Sequence, residues 1–179
     1  MSILNEPDAH SHAITMLRHR LQLASVCQLT GLSVRRVRDL RDALGVRASQ
    51  GRRRGIALLL GTPVLRLQVG FVTTCFATLG LTGEAQLLAE RGATFAQVLD
   101  FYYRLCLWAG VPAAGQLSSD EVFDLLMLHL REPPLRLRCE GCCWRAQVPQ
   151  SLHGETACPA CAARGRWSRL RHGGKKPNS

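Results

Sequence analysis

The chain has 179 residues, 46% of them apolar, and 23 lysines and arginines against 13 acids give it a formal net charge of +10. That apolar fraction excludes a disordered chain, and the length allows one compact core with a small appendage. The longest apolar stretch, Ile56 to Leu81, is interrupted by Pro63, Arg66 and Gln68 before the ~20 residues a membrane span needs, so no membrane association is expected.

The charge is unevenly placed. Residues 1–54 carry ten arginines and four acids, a net of +6; residues 55–134 carry four arginines and seven acids, −3; residues 135–179 carry nine bases and two acids, +7. Two basic ends around an acidic middle suit a polyanionic partner for the ends and a different task for the middle. The N-terminus, MSILNEPDAHSHAITML, lacks a basic start followed by an apolar run, so a reducing, cytoplasmic location is expected.

From Ala13 to Leu44 the pattern is helical. Leu17, Leu21, Leu23 and Ala24 make an apolar stripe expected on a first helix. In LASVCQLTGLSVRRVRDLRDALG, Gly31 is placed to end a helix in the left-handed conformation, and Ser33 to cap the next one. That is a helix-turn-helix-like pattern. On its second helix Val34, Val37 and Leu40 are expected to be buried, leaving Arg35, Arg36, Arg38 and Arg41 as a basic outer face for a major groove or phosphates. The same spacing also fits an αα-hairpin with a solvated arginine face. Cys27 reads as core filler. The loop VRASQGRRRG then offers Arg52, Arg53 and Arg54 to backbone phosphates, or to solvent.

The middle reads as helical. TGEAQLLAERG predicts a helix from Thr82 that Gly92 closes. Ala93 to Ala109 predicts another, with Phe95, Val98, Phe101, Leu105 and Trp108 along its apolar side. Ser118-x-x-Glu121 is a capping box opening a third, which Pro133–Pro134 ends. Cys75 and Cys106 fall on apolar faces and read as core residues. So much apolar helix in a short segment leaves room for an oligomer interface.

The C-terminal part carries Cys139-x-x-Cys142 and Cys158-x-x-Cys161 in RCEGCCWRAQVPQSLHGETACPAC. Two such turns joined by a hairpin-length connection present four thiolates to one ion, and soft sulfur at tetrahedral spacing suits Zn²⁺. Two disulfides or an iron–sulfur centre use the same residues, and Cys143 could replace Cys142 if the first turn shifted. A closed four-sulfur shell is structural rather than catalytic. Leu135–Arg138 and Trp144–Val148 predict the two strands of a zinc ribbon, a unit too small to fold without its metal. The tail, ARGRWSRLRHGGKKPNS, reads as flexible and basic. No nucleophile–base constellation, phosphate loop or open metal position suggests an enzyme.

The order of RLQL, TGLSVRRVRDLRDALG, an apolar helical middle, FYYRLC and the paired Cys-x-x-Cys turns with a third cysteine nearby resembles the FlhC family of flagellar transcriptional activator subunits, from about Leu17 to Arg169. Two departures stand out: ASQGRRRGIALLLGTP replaces the family's proline-rich segment, and Cys143 follows Cys142 where members often carry the extra cysteine inside the pair. The resemblance implies zinc held by Cys139, Cys142, Cys158 and Cys161. It also implies a hetero-oligomer of four FlhD and two FlhC subunits that binds promoter DNA and helps recruit RNA polymerase. The expected fold is therefore mainly α, in four segments. These are a basic helix-turn-helix-like segment at 9–54, an apolar helical core and oligomer interface at 55–134, a four-cysteine zinc ribbon at 135–165 and a flexible basic tail at 166–179. A zinc-ribbon protein–protein adaptor and an RNA-binding protein are the alternatives the residues also accommodate.

Overall fold

The computed structural model describes residues 6–47, 54–81, 91–132, 134–152, 157–165 and 170–172. They form a mainly helical fold with a small C-terminal sheet and a cluster of four cysteines. The helices are α1 (Glu6–Arg18), α2 (Leu23–Thr30), α3 (Val34–Ala43), α4 (Ile56–Leu59), α5 (Pro63–Thr78), α6 (Gly92–Trp108), α7 (Ser119–Arg131) and α8 (Pro159–Ala163). The strands are β1 (Pro134–Cys139), β2 (Arg145–Pro149) and β3 (Leu170–His172), in the order β2-β1-β3. No described helix is long and apolar enough to cross a membrane.

The expected first helix is in fact two. The chain turns at Arg20, which adopts a φ of +62°, and the Leu21 amide bonds back to the Met16 carbonyl at 3.1 Å. The turn swings Leu21 into the core beside Leu17, and Leu23 opens a new helix. The helix pair that follows is as expected. Gly31, at φ +71°, ends α2 with its amide on the Cys27 carbonyl, and Ser33 Oγ accepts the Arg36 amide at 3.3 Å to start α3.

The middle is built on α5, α6 and α7. Thr62 caps α5 by accepting the Leu65 amide, and Pro63 occupies the first turn, where its missing N–H costs nothing. The expected helix from Thr82 falls largely on residues 82–90, outside the described residues. Gly92 opens α6, lying against the end of α2 so closely that a Cβ there would sit 2.0 Å from the Leu29 carbonyl oxygen. The buried side of α6 is also rotated from the expected one. Phe95, Val98, Leu99, Tyr102 and Cys106 face the core, while Phe101 is exposed and Trp108 is 85% exposed. Phe95 and Val98 are buried as expected; beyond them Leu99 and Tyr102 take the place of Phe101, and Tyr102 reaches a polar partner. The Tyr102 hydroxyl donates to Gln68 Oε1, and both oxygens accept the Leu117 amide.

The start of α7 ties the segments together. Ser118 Oγ accepts the Glu121 amide at 3.2 Å, and Glu121 Oε2 accepts the Ser118 amide at 2.8 Å, completing the expected capping box. The neighbouring residues hold the N-terminal helices: Ser119 Oγ donates to the His19 carbonyl at 2.7 Å, and Asp120 Oδ1 accepts the Gln22 amide at 3.0 Å, where α2 begins.

Candidate metal centre and basic surfaces

The C-terminal unit forms from local chemistry. Leu135, Leu137, Ala146 and Val148 alternate with Arg136, Arg138, Arg145 and Gln147 in an antiparallel register that pairs Leu135 with Val148 and Leu137 with Ala146. The apolar set packs together with Trp144, and this side meets α5. Gly70 makes the approach possible: a Cβ there would lie 2.9 Å from Trp144 Cζ2 and 3.2 Å from Ala146 Cβ. Thr73 and Thr74 add polar contacts. Thr73 Oγ1 donates to the Gln147 carbonyl at 2.5 Å, and the Gln147 amide donates to Thr74 Oγ1 at 2.9 Å. The ribbon is therefore seated on the helical middle rather than tethered to it. Within the segment expected to be a flexible tail, Leu170–His172 pair with β1 as a third strand.

At one end of the sheet the four expected cysteines converge. Cys139 closes β1 and Cys142 lies in the following turn, held by the Cys139 amide on the Trp144 carbonyl at 2.8 Å. Cys158 and Cys161 sit at the start of α8, where Pro159 fixes the first turn. All four Sγ atoms lie within 4.8 Å of one another, with Cys139–Cys161 at 3.8 Å and Cys142–Cys158 at 3.6 Å. A disulfide needs about 2.05 Å, so these are thiols, whereas ligands about 2.3 Å from a tetrahedral ion stand about 3.8 Å apart. The donor set fits one metal ion. Cys139, Cys158 and Cys161 are buried and Cys142 half-buried. Cys143 is exposed, at φ +58°, with its amide on the Cys139 carbonyl; it stands outside the cluster, which resolves the choice in favour of Cys142.

Burial pushes the Cys158 thiol up to about 12. A backbone hydrogen bond from Trp144 favours the Cys142 thiolate, but burial and the thiols of Cys161 and Cys139 outweigh it and raise that group too. An ion must therefore displace protons to bind. The other described cysteines have no such company. Burial alone raises Cys75, and it leads the upward shifts of Cys27 and Cys106, so these thiols are unreactive packing groups.

The seven arginines expected to meet DNA divide into three groups. Arg35, Arg36 and Arg38 stand exposed on α3, around the buried Val37; Arg41 is half-exposed and pairs with Asp42 at 3.1 Å. Arg36 Nε donates to His10 Nε2 at 2.9 Å, while Arg35 and Arg38 have no ion-pair partner among the described residues. Val34, expected to be buried, is 53% exposed. Arg52 and Arg53 lie outside the described residues. Arg54 is engaged inside the fold. It grips Glu121 through Nε at 2.8 Å and Nη2 at 2.7 Å, and the Gln116 carbonyl through Nη2 at 2.6 Å. Its guanidinium is spent on α7 and is not offered to a phosphate. The pairing joins residues 67 apart, and no local signal marks it.

No family model, curated protein or solved structure was found to match this chain.

Proposed function

We propose that this chain is a non-enzymatic, zinc-stabilised DNA-binding regulator that activates transcription as part of a hetero-oligomer. The observation that carries the reading is the α2–α3 pair. A glycine turn and a serine cap hold the second helix outward, with Arg35 and Arg38 on its exposed side. The four-cysteine cluster supports zinc as the ion, since a closed, buried, all-sulfur tetrahedron matches that metal's preferences. FlhD as partner, flagellar operons as target and recruitment of RNA polymerase rest on the resemblance to the FlhC family alone.

Apolar surface supports an assembly. Leu107 is 81% exposed beside Trp108 at the end of α6, and Phe101 is open on the same helix. That surface equally favours the second reading, a zinc-ribbon adaptor that binds only protein. Replacing Arg35 and Arg38 with alanine in the co-purified complex separates the two. A DNA-binding helix predicts weaker duplex binding and a log–log salt slope lower by roughly 2, about 0.9 per lost phosphate contact. An adaptor predicts no duplex binding in the first place, and an RNA-binding protein predicts that single-stranded RNA outcompetes the duplex.

A further inference from the structure

We infer that the outer face of the three-stranded sheet is a second contact surface for duplex DNA, a clamp on the phosphodiester backbone separate from α3. The register makes it. With Leu137 and Ala146 turned to α5, alternation turns Arg136, Arg138 and Arg145 outward. Arg138 stands opposite Arg145 on one side and pairs in register with Arg171 on the other. Neighbouring strands are about 4.8 Å apart, so this row of three positions is about 10 Å wide, with Arg136 about 7 Å further along β1. A groove of about 380 Å³ opens beside these arginines, lined also by Leu137, Ala146 and Gln147 and by Thr74 of α5.

Three observations identify the ligand as a polyanion. Like charges at paired positions weaken a sheet, yet Arg138 stands directly opposite Arg145, an arrangement that an external anion relieves. None of Arg136, Arg138 and Arg145 forms an ion pair among the described residues, and the nearest acid along the strand, Glu140, lies past β1 in the turn. Thr74 is already used, accepting from the Gln147 backbone amide and donating to the Gly70 carbonyl, so the charged donors in the groove are the guanidinium groups, with the Gln147 side-chain amide beside them. A grid wider than one phosphate, on the segment carrying +7, fits successive phosphates of a strand, which recur about every 3.4 Å of helix rise. Arginine forks grip such oxygens in pairs. Contacts of this kind set register and affinity and carry no sequence information.

The site rests on the DNA-binding reading above, and the test separates the two. In the co-purified complex, Arg136→Gln, Arg138→Gln and Arg145→Gln are combined, and binding to a labelled duplex is followed by anisotropy across a salt series. The salt slope should fall by about 2 to 3, with the preference for one duplex sequence over another unchanged. Metal content should be unchanged and the melting temperature equal or higher, because the opposed charges are gone. The matching lysine triple should keep most of the slope. An unchanged slope in the glutamine triple, while Arg35→Ala/Arg38→Ala still lowers it, overturns the ribbon clamp and leaves α3 as the contact. A loss confined to single-stranded RNA overturns the assignment to DNA. Absence of duplex binding by the unaltered complex overturns both readings.

Discussion

Glu121 is 2% exposed and does three jobs with one carboxylate: it closes the capping box, accepts the Arg54 amide and pairs with the Arg54 guanidinium. Burial alone would raise its pKa; the bonds from Arg54 and Ser118 outweigh that and hold it below the usual carboxylate value. A depressed carboxylate contributes stability above its unfolded value, and this is lost as pH falls through the lower folded one. Arg54→Ala strands the charge, so it should cost about 3 kcal/mol or more in urea unfolding. If Arg54→Ala instead left stability intact and weakened duplex binding, Arg54 would belong with the phosphate contacts after all. His129 works in a different pH window. It is 2% exposed, packs against Phe76, and has no hydrogen-bond partner for either ring nitrogen among the described residues. Burial lowers its pKa, so below the usual value of about 6.5 the unfolded chain binds the proton more readily and the fold loses stability. His129→Leu should therefore flatten the change in unfolding free energy between about pH 7 and about pH 5.5, by up to about 1.4 kcal/mol per pH unit. An undiminished pH dependence would place the titration elsewhere.

Among the elements, the joint between α5 and the ribbon decides whether the metal site is an accessory or part of the fold. Gly70→Val would drive a branched side chain into Trp144 and Ala146, and overpacking of this kind costs about 1 to 3 kcal/mol. Cys158→Ser should abolish stoichiometric metal and destabilise β1, β2 and α8 together. Equal metal content in the mutant and the unaltered chain would remove Cys158 from the ligand set. These elements were legible in the sequence because their signals are local: paired Cys-x-x-Cys turns, alternation in Leu135–Arg138, the Ser118/Glu121 box and the Gly31/Ser33 turn each act within a few residues. What escaped was set at a distance. The phase of α6 depends on Gln68 and Leu117 receiving Tyr102, and the role of Arg54 depends on Glu121. Apolar residues all round α6 gave periodicity two acceptable answers, and only the polar partner decides between them.

At the scale of the whole molecule, the two basic surfaces are mounted on one helical middle. The N-terminal helices pack on α6 and are pinned by Ser119 and Asp120 of α7; the ribbon packs on α5. Metal loss and DNA binding should therefore be linked through α5, since a metal-free ribbon would release the face carrying Arg136, Arg138 and Arg145. Chelation should weaken duplex binding by lowering the salt slope, and the preference for one duplex sequence over another should be unchanged. In the reading proposed above, the acidic middle, with Phe101, Leu107 and Trp108 open on α6, would meet the protein partner. Specific recognition of DNA is the claim on which the rest depends, and selection from a pool of random duplexes by the co-purified complex measures it directly. A recurring sequence should emerge and bind at least about 10³-fold tighter than its scrambled version at physiological salt. A ratio near one, with scrambled and selected duplexes bound alike, would contradict a sequence-reading regulator.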